Sequence, residues 1–201
     1  MTPTNFDELA AYLRNKVEEL NDMCSKTDPW VFLCASAFID YLSKLASGRN
    51  SKKAFERYPQ FIKDFFPAKY DKFSYLGGPK SNETSLPHQM YYVLRCGIVH
   101  SFSFVPEQPA RRHGGRPGSV LIAHRKGGGK HLDCIPTQDG LGAALLLAED
   151  FVSDIAETVE TMIRLAGSDA NLKRRMLEWN TDFPPIGPVK ITISGRPGGH
   201  P

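Results

Sequence analysis

The stretch Pro87-His-Gln-Met-Tyr-Tyr-Val-Leu-Arg-Cys-Gly-Ile-Val-His-Ser-Phe-Ser-Phe104 decides how this chain is read. Pro87 suits the first turn of a helix, where its missing N–H costs nothing. Met90, Tyr91, Val93, Leu94, Ile98 and Val99 then make an apolar helix. Arg95 and His100 interrupt it, and both are costly to bury without partners. Polar groups on such a helix face either a bonded network or a cleft.

Upstream of this helix, Ser51 can cap a helix that Pro59 could kink and Pro67 should end, with Phe55, Phe61, Ile62, Phe65 and Phe66 packing into a core. A short helix is expected at 69–76, and residues 77–85 form a polar loop into the Pro87 helix. Downstream, no acidic residue occurs between Glu107 and Asp133. That window carries Arg111, Arg112, Arg116, Arg125, Lys126 and Lys130, with His113, His124 and His131 among them. Ser119–Ala123 and Leu132–Ile135 read as two short strands joined by a Gly127–Gly129 turn, a small β-hairpin inserted over about 105–138.

From Leu141 the pattern is helical to about residue 166, with Leu145, Ala148, Val152, Ile155, Val159 and Met162 on one side. Glu149, Asp150, Asp154, Glu157 and Glu160 lie mainly on the other, which reads as a solvated face. Gly167 ends this helix, and Asp169 opens a basic one at 170–179. Nearer the N-terminus, Thr4 can cap an amphipathic helix at 5–23 carrying Phe6, Leu9, Leu13, Val17 and Leu20. Asp28-Pro29 starts a second helix, apolar on most sides from Val31 to Leu45 and therefore central, which Gly48 ends. Val189–Ser194 alternates like an edge strand, and 195–201 reads as a disordered tail. The expectation is one domain over 1–194, mainly α: a helical bundle with a small β-hairpin insertion.

Bulk composition narrows the classes. The 201 residues are 41% hydrophobic and 23% charged, as in ordinary globular proteins, and allow a real core. A net charge of +3 cannot by itself argue for nucleic acid. No apolar run is long enough to cross a membrane, and the first residues lack the pattern of a secretion signal, so a cytoplasmic protein is expected. Cys24, Cys34, Cys96 and Cys134 are scattered, which favours reduced, mostly buried thiols. No cofactor or metal site is expected. Gly127-Gly-Gly-Lys130 lacks the upstream Gly and following Ser or Thr of a phosphate-binding P-loop, and His131-x-x-Cys134 lacks a second ligand pair for zinc.

Arg95-Cys-Gly-Ile-Val-His100, on a long helix followed by a polar segment and another long helix, resembles the Arg-x4-His signature of HEPN domains (higher eukaryotes and prokaryotes nucleotide-binding). The resemblance covers roughly residues 5–166. It implies an all-α bundle acting as a metal-independent endoribonuclease at a site shared by a homodimer. Defence or a toxin–antitoxin pair, with an antitoxin protein as a further partner, is the implied context. Arg95 and His100 would be the catalytic residues, and single-stranded RNA the substrate, held by Arg111, Arg112, Arg116, Arg125, Lys126 and Lys130. The residue types fit the chemistry. An imidazole moves protons near working pH, and a guanidinium holds a phosphate through two oxygens.

Two positions depart from the family pattern. Cys96 stands where active members often carry a polar residue. Phe102 replaces a tyrosine that a subset presents for nucleotide modification, so such modification does not apply here. Spacing adds a difficulty, because five residues at about 100° each leave the two side chains roughly 140° apart on a straight helix. Gly97 permits a local distortion. The alternative expectation is a non-catalytic RNA- or nucleotide-binding or adaptor protein of the same fold, with Arg95 and His100 anchoring a buried polar network.

Overall fold

The computed structural model describes residues 3–27, 30–48, 52–76, 85–98, 120–138, 140 and 142–182. Within them the chain is mainly helical with one small sheet. The helices are α1 (Phe6–Ser25), α2 (Val31–Ser47), α3 (Ala54–Phe65), α4 (Leu86–Met90, continuing as a π-helical stretch, Tyr91–Ile98), α5 (Ala148–Ser168) and α6 (Ala170–Asp182). The strands are β1 (Val120–Ala123), β2 (Cys134–Ile135) and β3 (Ala143–Leu147).

Apolar spacing explains the helical packing. Leu9, Leu13, Val17 and Leu20 bury one stripe of α1, which lies along α5 and its buried Phe151, Val152, Ile155, Val159 and Met162. A bidentate pair from Arg14 Nε and Nη2 to Glu160, at 2.7 and 2.8 Å, clasps the two helices on the outside. The central helix is α2, buried on several sides and in contact with α1, α3, α5, α6 and the π-helical stretch. Phe32 of α2 stacks on Phe151 at 6.0 Å, and Phe66 and Tyr70 join that aromatic group. Each such fully buried side chain contributes about 1.5–3 kcal/mol.

Local signals act close to where they were expected. The cap of α1 is Asn5 rather than Thr4. Its side chain accepts from the Glu8 N–H at 3.0 Å, while the Glu8 carboxylate reaches back to the Thr4 N–H and hydroxyl. Gly48 ends α2 at φ +71°, and Arg175 packs over it. Asp169 accepts from the Asn171 and Leu172 N–H groups and opens α6. Residues 69–76 contain turns, not a helix: the Tyr70 N–H goes to Pro67 O and that of Lys72 to Ala68 O. Asp28, Pro29, Ser51 and the stretches 189–194 and 195–201 lie outside the described residues.

The sheet corrects the hairpin expectation. Its order is β1-β3-β2, with β1 parallel to β3 and β2 antiparallel to it. The two strands foreseen are therefore not paired with each other; each lies against β3, which the helical reading from Leu141 had absorbed. Every residue from Ala143 to Leu147 is buried, and an apolar run covered on both faces carries no alternation to distinguish strand from helix. Gly142 sets the boundary. It sits at φ +77°, and a Cβ there would come within 2.6 Å of Cys134 Sγ. The triple glycine instead follows a single 3-10 turn, Arg125–Gly127, and passes β3 at Gly129 (φ +93°), where a Cβ would meet Leu145 Cδ2 at 2.6 Å.

Among the described residues no helix is long and apolar enough to cross a membrane. None of the four cysteines forms a disulfide. Cys24 is buried and Cys34 exposed, so burial is not the rule expected for them. Burial and the nearby Glu149 push the Cys24 thiol up to about 11.

Candidate functional site

Arg95 lies on the π-helical stretch, whose hydrogen bonds close over five residues instead of four. Its guanidinium stands 5.9 Å from the Tyr91 ring centre and 3.7 Å from Asp40 Oδ2, with 23% of the side chain exposed. Burial, with Cys96 adding to it, pushes the Tyr91 hydroxyl upward.

Asp40, buried on α2, gathers more than Arg95. Arg57 Nη2 reaches Oδ1 at 2.9 Å, and Lys44 Nζ lies 3.3 Å from Oδ2. Arg57 is itself buried, and donates also to Ser43 Oγ at 3.0 Å and Lys52 O at 3.2 Å. One carboxylate therefore faces three cations.

His100, Arg111, Arg112, Arg116 and His113 lie outside the described residues. Residues 120–133 of the basic window are described, and there Arg125 and His124 have counter-charges. Arg125 is exposed but forms a bidentate pair with Asp150, at 2.6 and 3.1 Å, and its N–H donates to Glu149 Oε2 at 2.9 Å. That pairing raises the Arg125 pKa and lowers that of Asp150. His124 Nδ1 lies 3.3 Å from Glu149 Oε1, while its buried Nε2 has no hydrogen-bond partner among the described residues. Burial pushes Glu149 up, but its bonds from Arg125 and His124 prevail and hold it below the usual carboxylate value. Lys126 and Lys130 are exposed.

His131 belongs to a second buried network. Its Nδ1 accepts from the Leu147 N–H at 3.1 Å, so the ring proton of the neutral form sits on Nε2. That nitrogen lies 3.0 Å from Tyr70 Oη and 3.2 Å from Asp154 Oδ2. Tyr70 Oη donates to the same Oδ2 at 2.8 Å, and Lys69 Nζ reaches Oδ1 at 2.7 Å. Burial pushes the Asp154 carboxyl up, but the bonds from His131, Lys69 and Tyr70 outweigh it and hold the group below its ordinary value. Burial and the Asp154 charge drive the Tyr70 hydroxyl well above its own. Asp154 is therefore a buried acceptor, not part of a solvated acidic face. With both His131 nitrogens bonded within the protein, neither offers a lone pair to zinc.

Beside this network opens a cleft of about 580 Å³, lined by Lys69, Arg125, Gly129, Lys130, His131, Leu147 and Asp150. Sequence reasoning reached Arg125 and Lys130 through the basic window and missed Lys69, Tyr70 and Asp154. Tyr70 and Asp154 are 84 residues apart, and no local pattern links them. Among the described residues no cluster of three or more His, Cys, Asp or Glu is placed to hold a metal ion. Comparison with family models, with curated proteins and with solved structures finds no match for the chain.

Proposed function

We propose that this chain is an RNA-acting protein of the HEPN type: a homodimeric, metal-independent endoribonuclease in which Arg95 and His100 act on one phosphodiester of single-stranded RNA. The observation that carries this reading is the π-helical winding at Arg95. The hydrogen bonds of the Tyr91–Ile98 stretch close over five residues, the separation of Arg95 and His100 in the sequence. The reading takes this winding on to His100, and such local widening of a helix is frequent at functional sites.

In this mechanism His100 takes the proton of a ribose 2′-hydroxyl, and the 2′-oxygen attacks the adjacent phosphorus. The bond to the 5′-oxygen breaks, that oxygen is protonated, and a 2′,3′-cyclic phosphate remains. Arg95 stabilises the charge that grows on the phosphate oxygens. Arg111, Arg112, Arg116, Lys126 and Lys130 hold the strand, and Arg125 fixes the wall beside them. Such an activity suits a defence or toxin–antitoxin role with an antitoxin protein as partner.

A second reading has an observation in its favour. Arg95 converges on Asp40 together with Arg57 and Lys44, as a purely structural arginine would. A non-catalytic RNA-binding or adaptor protein of the same fold follows from it. Purified protein incubated with mixed RNA under chelator separates the two. Cleavage lost in both His100→Ala and Arg95→Ala, from a chain that gel filtration shows as a dimer, supports the nuclease. Equal cleavage by wild type and variants rejects the catalytic assignment, and RNA bound without turnover supports the second reading.

A further inference from the structure

The cleft beside His131 has the makings of an anion site, of which the reading above uses Lys130 but not Lys69. The carboxylate in its lining, Asp150, is spent on the bidentate Arg125, and Asp154 of the adjoining network is spent on Tyr70, His131 and Lys69. One cation remains in excess, and it is Lys130, exposed and paired with nothing among the described residues. The backbone aims it. Gly129, held at φ +93° against Leu145, admits no side chain, and the next two residues turn into the cleft. Lys69 also lines the cleft, on the turn that follows Pro67, with 47% of its side chain exposed. When Lys69 swings away from Asp154 Oδ1, Oδ2 keeps its bonds from Tyr70 and His131. Lys69 can therefore change partners while the buried Asp154 keeps two of its donors. The cleft lined by Arg57 and Arg175 offers no such freedom, because Arg57 is committed to Ser43, Lys52 O and Asp40, and Arg175 to Ala46 O.

We propose that Lys69 and Lys130 form a phosphate-binding subsite across this cleft, filled by a phosphate group of an RNA strand or of a free nucleotide. Lysine suits the task as a mobile point charge that any phosphate can recruit. A backbone phosphate would deepen the RNA reading above, on which that source of the group rests. Only the cleft itself is needed for the free nucleotide.

The test uses the full chain and two probes, a fluorescein-labelled single-stranded oligo-uridylate and a labelled uridine 5′-triphosphate, followed by anisotropy across a salt series. Lys69→Met and Lys130→Met should each weaken the bound probe about fivefold at 0.1 M salt, and each should flatten log K against log salt by about 0.7. A weaker oligonucleotide alone assigns the strand as the source, and a weaker triphosphate alone assigns the nucleotide. Lys130→Glu, on an exposed side chain, guards against a folding artefact and should weaken binding further. Lys173→Met, on α6 against Phe6, is the control and should change nothing. Unchanged affinity and slope for both probes in all cleft variants, or equal weakening in Lys173→Met, overturn the subsite. The nuclease reading fails separately, when His100→Ala leaves cleavage intact.

Discussion

Two buried aspartates, Asp40 and Asp154, solve one problem in different ways. Asp40 faces three cations among the described residues, one of them the buried Arg57, with Arg95 partly exposed at the edge of the site. Asp154 is held by a phenol, an imidazole and one half-exposed lysine, and the neutral donors do most of the satisfying. Side by side, the two sites separate a locked cation from a loose one. Arg57 cannot leave Asp40 without burying an unpaired charge, whereas Lys69 can leave Asp154 for water or for a ligand.

The largest effect should come from Asp40→Ala. It strands the Arg57 guanidinium in the core, and urea unfolding should report a loss of about 3–5 kcal/mol. Asp154→Ala should cost less, about 2–3 kcal/mol, because Lys69 escapes to solvent while Tyr70 and His131 can still bond to each other. Equal losses would erase the distinction between the two sites. Tyr70→Phe removes one donor to a charged acceptor from a fully buried ring, for about 1.5 kcal/mol in the same assay.

Acid tests the Asp154 side on its own. This carboxyl titrates below its ordinary value in the folded chain, so the stability it contributes is fully present above its unfolded pKa, about 3.9. That contribution is lost as the pH falls through the lower folded value. Unfolding followed from pH 6 down to pH 2 should therefore show a shallower acid limb in Asp154→Asn than in the wild type. The smallest effect belongs to Lys69→Met, about 1 kcal/mol, because the ammonium is half-exposed and the buried Asp154 keeps its bonds from Tyr70 and His131. A much larger loss would mean that Lys69 is as locked as Arg57.

The same contrast marks what the sequence could disclose. Helices α1, α2 and α5 were legible because the residues that bury them recur along a few local turns, and Gly48 and Asp169 mark ends by their own chemistry. The sheet was not, because Ala143–Leu147 is covered on both faces and its neighbours come from either side of a triple glycine that closes no hairpin. Arg95 could be picked out as a polar residue on an apolar helix. Asp154 could not, because on paper it continues a row of acids, and only Tyr70 and His131, brought in from remote segments, make it an internal acceptor. Likewise Arg125 looks like a spare cation until Asp150, 25 residues on, takes it.

The parallel pairing of β1 with β3 also governs the order of assembly. β3 can close against β2 through a nearby connection, but its other edge waits for a strand that precedes both. A parallel partner cannot be reached through a tight turn, so this edge closes a longer loop than the antiparallel one does. Until then Ala143–Leu147 stands as five uncovered apolar residues, the segment through which a crowded, half-made chain would stick to its neighbours.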